Sequence, residues 1–484
     1  MVNIPLIGIM SVLVLFLNIT PATSGLEEGV SRVDSGPWMR LFPKSYIEIL
    51  RFDDIWNSSF PHTRITPELP IDEKAVRVFS LPPEISSQRA VTLNDGGVET
   101  VNEDQTLRQN GYDFLERTLR KYIDIKRAGG WPKIALGPTI QAGGKGPRVD
   151  TLRTYLKITG DLPAESSASI NILDQDLETA VQRFQRRHGL IADGIVGKNT
   201  QAALNISVED RINQIQINLE RWRSISYDSG SRYLMVNIPG FELSIVENDT
   251  VVQKMRAIVG KKRRQTPVMS DRITYLELNP YWNIPRKIFL KDILPRIQED
   301  PEYLARQGIR VFDGWQREAS ELDPVYIDWG EVSYDRFPYR LRQDPSEINA
   351  LGKVKFMFPN QKGVYIHDTP GKNLFAKQKR TFSSGCVRVQ DPLTLAEYLL
   401  SEQNWDREKL ATIIETGQRK IIVLKKAIPV HLVYFTAWVD KGGELNFRED
   451  IYGKDRDFLS DNNQGSSIVT NFNNDDRKDI LRAN

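Results

Sequence analysis

The sequence predicts a multidomain α+β chain whose first half is helical and whose second half is mostly β with a helical lid insertion. Three observations lead there. Apolar residues recur at helical spacing up to about residue 230, and from Tyr233 onward they alternate and become β-branched. A proline-punctuated stretch over residues 285–345 then interrupts the β pattern. A length of 484 residues accommodates two to four domains, and 40% apolar with 26% charged residues excludes collagen-like, coiled-coil and wholly disordered chains.

Taken in order, residues 1–24 carry an apolar run from Ile4 to Ile19 followed by Ala22-Thr23-Ser24, a small-residue stretch suited to cleavage. Export is expected, as a signal peptide or an N-terminal anchor. Residues 25–147 form a helical scaffold region, with a helix from about Gly111 to Arg127 closed by Gly129, Gly130 and Pro132. Residues 148–206 predict a small all-α domain. Leu152, Leu156 and Ile158 mark one helix, Leu177, Ala180, Val181 and Phe184 a second, and a third starts near Asn199 or Thr200 after the Asp193-Gly194 turn. "GIVGKNT" is not a phosphate loop, because Ala192 stands where that motif needs glycine and Asn199 where it needs Ser or Thr. A linker helix is expected over 207–230.

The β region covers 231–457. "YLMVNIPGFELSIVEND" and "VVQKMRAIVG" read as a hairpin, and strands resume at "RITYLELNP", "GKVKFMFPN", "GVYIHDT" and "KIIVLKKAIPVHLVYFTAWVD". The insertion, beginning "RKIFLKDILPRIQEDPEYLARQG", has the size of a lid beside a sheet. The Asn/Asp/Ser-rich residues 458–484 are expected to be disordered.

A balance of 65 basic against 63 acidic residues is too even for a nucleic-acid grip. One cysteine excludes an internal disulfide, and the four dispersed histidines have no zinc-ligand spacing, so neither metal nor cofactor is expected. That cysteine, Cys386, sits in "TFSSGCVRV". A nucleophilic thiol needs a base, donors for the oxyanion and access to substrate. His367 ends a predicted strand 19 residues upstream. Ser383, Ser384 and Gly385 make a small-residue turn able to leave backbone N–H groups outward. Arg388, two residues on, points to the thiol's side of a strand and suits an anionic substrate group.

With these residues in view, "YIHDTPGKNLFAKQKRTFSSGCVRV" resembles the active-site signature of the L,D-transpeptidases with a YkuD-type catalytic domain. "NPYWNIP", "INALGKVKFMFPN" and "PVHLVYFTAWVD" are similar to its larger Gram-negative, YcbB-like branch, and "AVQRFQRRHGL" with "DGIVGKNTQAALN" resembles the three-helix peptidoglycan-binding domain. The resemblance implies Cys386 as nucleophile, His367 as its base, and backbone of Ser384, Gly385 and Cys386 as the oxyanion site. Tyr365 and Trp282 would line the donor pocket, with Arg388 and Asn349 among the substrate-binding residues. Many relatives carry histidine where Ser384 stands; the larger branch carries serine. Asp368 would point away from His367, leaving a backbone carbonyl as the other candidate to orient the ring.

The chemistry so implied releases the terminal D-alanine of a peptidoglycan tetrapeptide stem, forms a thioester and resolves it with a diaminopimelate amine of another stem, giving a 3→3 cross-link. The expected partners are peptidoglycan stem peptides and glycan, in the periplasm. An L,D-carboxypeptidase using the same thiol and an inactive peptidoglycan-binding scaffold are the alternatives.

Overall fold

A computed structural model describes residues 106–166, 171–224, 231–248, 250–316, 318–334 and 336–464. The expected signal peptide or anchor, the scaffold region before 106 and the tail from 465 lie outside the described residues.

Helix α1 (Thr106–Arg127) stops where two glycines adopt positive φ, Gly129 at 100° and Gly130 at 75°, and the Gly130 amide closes on the Ile125 carbonyl at 2.8 Å. Its buried stripe of Leu115, Leu119 and Tyr122 packs against Ile212, Ile215 and Leu219 of α5 (Val208–Ser224). Between them lie α2 (Pro147–Thr159), α3 (Gln175–Arg187) and α4 (Lys198–Leu204). The Asp174 side chain caps α3 through the Leu177 amide, and Tyr155, Leu156, Leu177, Val181 and Phe184 fill a separate core. The expected linker helix ends at Ser224; residues 225–230 are outside the described set.

The β region is a nine-stranded sheet in the order β11-β3-β12-β10-β9-β4-β13-β1-β2, and β2 also pairs with β3, so the sheet curls into a closed barrel with β11 as a branch. The strands are β1 (Arg232–Asn237), β2 (Glu242–Glu247), β3 (Thr250–Gly260), β4 (Met269–Leu278), β9 (Val354–Met357), β10 (Ile366–His367), β11 (Thr381–Ser383), β12 (Val387–Val389) and β13 (Lys420–Val433). Alternation explains the layering: Leu276, Phe356, Ile366, Val387 and Val389 point into the barrel core with α6 (Pro392–Leu400) and α7 (Arg407–Glu415) packed beside it. Their polar neighbours therefore face the other way. A short hairpin, β14 (Ala437–Val439) with β15 (Leu445–Phe447), joins the core of α1 and α5 and so fastens the helical half to the barrel.

One expectation is extended and one corrected. The insertion is helical over 286–299 and 303–306, as expected, and it also contains a four-stranded sheet, β5 (Trp282–Asn283), β8 (Arg340–Gln343), β6 (Ile309–Phe312) and β7 (Glu321–Leu322) in that order. Its strands are only two to four residues long, too short for alternation to show in the sequence. The region from 458 is helical as far as Gln464 in α8 (Lys454–Gln464).

Candidate active site

Strand register builds the site. Glu277 pairs with Lys355, Lys355 with His367, and His367 with Arg388, so β4, β9, β10 and β12 place four ionisable side chains in one lateral row. Tyr365 and Cys386 precede His367 and Arg388 by two residues and therefore share that face, joined by the Val387 amide donating to the Tyr365 carbonyl at 3.0 Å. A thiol, a phenol, an imidazole and a guanidinium thus meet on one wall.

The nucleophile turn is held by side chains behind it. Buried Ser383 donates its hydroxyl to the Cys386 carbonyl at 2.5 Å and accepts from the Gly385 amide at 3.1 Å. Thr266 donates to the Gly385 carbonyl at 2.8 Å and accepts from the Gly260 amide at 2.9 Å, while the Tyr452 phenol donates to the Gly260 carbonyl at 2.6 Å. Gly385 sits at φ 126°, a conformation only glycine adopts without strain. Gly260 is required for a different reason, since a Cβ there would lie 2.1 Å from the Arg264 carbonyl oxygen. The Gly385 amide is therefore engaged, which corrects its expected use as an oxyanion donor. The Ser384 and Cys386 amides make no hydrogen bond among the described residues and remain the candidates.

Cys386 keeps part of its surface accessible, while atoms packed around the sulfur push the thiol above its usual value. Tyr365, through backbone and phenol, and the charges of Lys355 and Arg388 work against that rise. Lys355 is itself positioned by Glu277 at 3.3 Å and lies over the Tyr365 ring, 4.6 Å from its centroid. Arg419 holds the other side of Glu277 at 2.7 Å.

His367 is buried, and desolvation first, then the Arg388 charge, lower it to about 3. Its Nδ1 lies 2.5 Å from the Asp368 backbone carbonyl. A carbonyl only accepts, so Nδ1 carries the proton and Nε2 keeps the lone pair a base requires. Between the two orienting candidates the structure selects the backbone carbonyl. The Asp368 carboxylate turns away to the Lys353 amide, 2.8 Å, and to Lys372. His367 and the thiol are one register step apart and are not hydrogen-bonded to each other among the described residues.

Two predicted substrate residues are placed elsewhere. Asn349 is fully buried, its amide donating to the Pro280 and Asp344 carbonyls at 3.1 and 3.0 Å and accepting from the Leu351 amide at 2.8 Å, so it braces a loop and has no free donor for a ligand. Trp282 packs into the insertion's own core with Ile284 and Phe289. Ser384 is exposed and its hydroxyl accepts from Arg264 at 2.9 Å. That guanidinium also grips Asp292 of the insertion, one contact being 2.8 Å, and holds the carboxyl below its usual range. Arg264 therefore ties the insertion to the nucleophile turn. Lys355, Glu277, Arg264, Asp292 and Thr266 were not singled out from sequence, since no local pattern signals which strands lie side by side.

Comparison with known proteins finds family matches over two parts of the chain. Residues 231–423 match the L,D-transpeptidase catalytic domain model named YkuD, and residues 145–204 match a "Putative peptidoglycan binding domain". A curated Haemophilus influenzae protein described as "Putative L,D-transpeptidase" is 35% identical over 252 residues, 52% of this chain and 50% of that relative. The chain thus spans about half the length of that protein. Solved structures that match include an L,D-transpeptidase from Mycobacterium smegmatis, with TM-score 0.21 and 11% identity over 42% of this chain and 58% of that one. Another is an L,D-transpeptidase from Xylanimonas cellulosilytica, with TM-score 0.20 and 18% identity over 62% of this chain and 98% of that one. Residues 231–423 thus match the YkuD-type L,D-transpeptidase catalytic domain, with a match to a putative peptidoglycan-binding domain ahead of it.

Proposed function

We propose that this protein is an exported, periplasmic L,D-transpeptidase of the YcbB-like branch that forms 3→3 peptidoglycan cross-links through a thioester at Cys386. The observation that carries the reading is the shared face on which Cys386, Tyr365, His367 and Arg388 stand. The Cys386 sulfur attacks the carbonyl of the third stem residue, and its proton passes to Nε2 of His367. Collapse of the tetrahedral adduct breaks the amide; His367 returns the proton to the nitrogen of the leaving D-alanine. A diaminopimelate amine then attacks the thioester, forms the new amide and regenerates the thiol.

Electrostatics gives substrate a part in activation. Burial raises the thiol and lowers the imidazole, so the neutral pair is favoured at neutral pH. A substrate carboxylate at Arg388 neutralises the largest charge that depresses His367, and the imidazole becomes a stronger base once substrate is bound. Water in place of the amine would yield free tripeptide.

Intact-mass measurement with a disaccharide-tetrapeptide tests this. The expected result is an adduct on Cys386 lacking D-alanine, discharged to a dimer when acceptor amine is present. Tripeptide with no dimer at any acceptor concentration would establish a carboxypeptidase, and no adduct would remove the thioester mechanism altogether.

A further inference from the structure

A groove lies away from the thiol, between the peptidoglycan-binding helices and the barrel, with a cavity volume of about 1070 Å³. That exceeds the roughly 300–1,000 Å³ of small-molecule pockets and suits an extended ligand. One wall is apolar, with Ile191 64% exposed and Ala203 and Ile206 beside it. The other is cationic: Arg211, Arg256, Arg380 and Arg448 all line it, joined by exposed Lys377.

These arginines are unusual in what they bind. Arg211 donates to the Ala203 carbonyl at 3.3 Å, Arg256 to that of Phe375 at 3.1 Å, Arg380 to that of Phe241 at 3.0 Å, and Arg448 to that of Arg187 at 3.0 Å. Among the described residues none of the four forms an ion pair with a carboxylate. The groove's acids are already matched, Glu242 to Lys254 at 3.0 Å and Glu449 to Lys379 at 2.8 Å. Burial first of all lowers Arg380 and Arg448 to about 10; repulsion from Arg256 and Arg380 respectively adds to this, and the Glu242 charge works against it in both. Arg211, Arg380 and Arg448 also lie over the Phe447, Phe241 and Trp438 rings, and four clustered guanidiniums without a carboxylate ion partner present a positive wall that a carboxylate can bridge.

We propose that this groove is a second, non-catalytic site for a peptidoglycan stem peptide, held by its free carboxylates on the arginine wall with its alkyl groups on the helical wall. The proposal rests on the peptidoglycan reading above. The groove is distinct from the catalytic row. Cys386, Tyr365, His367 and Arg388 do not line it, although Arg256 stands on β3 two residues from Ile258, the partner of Arg388.

The test uses the full chain with Cys386 alkylated by iodoacetamide, so that only non-catalytic binding is read, and compares it with Arg256→Glu/Lys377→Glu, two exposed positions. Soluble tetrapeptide should bind the alkylated protein, and the double variant should weaken binding about tenfold or more. A tetrapeptide amidated at its carboxylates should bind weakly to both. Equal affinity for the two proteins, or for the two peptides, overturns the site, as does no binding to the alkylated protein. Thioester formation by the unalkylated double variant should be unchanged; it reports on the catalytic reading alone, so the two failures are told apart.

Discussion

Replacing Ser383 by alanine removes one hydroxyl that satisfies two buried backbone groups at once, the Cys386 carbonyl at 2.5 Å and the Gly385 amide at 3.1 Å. Ser383 is 2% exposed, so water cannot take over either bond. An unsatisfied buried polar group costs about 1–3 kcal/mol, and some relaxation of the turn brings the pair to about 2 kcal/mol in all. If that energy is lost by the turn leaving its productive geometry, the acylation rate falls about thirtyfold. The hydroxyl does not contact the sulfur, so the pH midpoint for alkylation of Cys386 should stay where it is. Denaturant unfolding, single-turnover acylation followed by mass, and an iodoacetamide pH profile measure the three quantities. Acylation within twofold of the parent, or a midpoint moved by a unit, would refute the claim that Ser383 acts by positioning the turn.

Two pH predictions accompany it. Because burial lifts the Cys386 thiol, alkylation should be slow at neutral pH, with thiolate below about 3% at pH 7, and should rise with a midpoint above the usual ~8.5. Lys355→Met should move that midpoint further up by removing a charge that favours thiolate; a midpoint unmoved by the change contradicts the proposed electrostatics. For stability, His367, His431 and His188 are all held below the usual histidine value by burial, to about 3, to about 4 and well below respectively. Above pH ~6.5 they are neutral folded and unfolded; below it only the unfolded chain takes up protons, so stability is lost as pH falls from about 6.5 toward 4, by up to about 1.4 kcal/mol per unit for each. Denaturant midpoints flat from pH 7 to 4.5 would contradict this.

Much of the site was legible because it is local. The lone thiol, the glycine beside it and Arg388 two residues on obey the pleat of one short strand, and Tyr365 and His367 obey that of another. The helical domain was equally legible, since Leu177, Val181 and Phe184 repeat at the spacing of a single helix face. The helices of the insertion were legible, but its sheet was missed because the strands are shorter than the window in which alternation can be seen. Asn349 was misassigned because a polar residue in a loop looks the same whether it faces a ligand or three backbone groups of its own chain.

What the sequence by itself determined was therefore the set of candidate groups: one thiol, one strand-end histidine, and a turn of small residues beside the sulfur. Only the tertiary structure decided the surroundings that set its reactivity. Glu277, Lys355, His367 and Arg388 come from four strands distant in sequence, and their alignment depends on barrel register, which no stretch of chain encodes alone. The same is true of the arginine groove, whose walls belong to different domains and whose unpaired charge exists only once those domains are packed together.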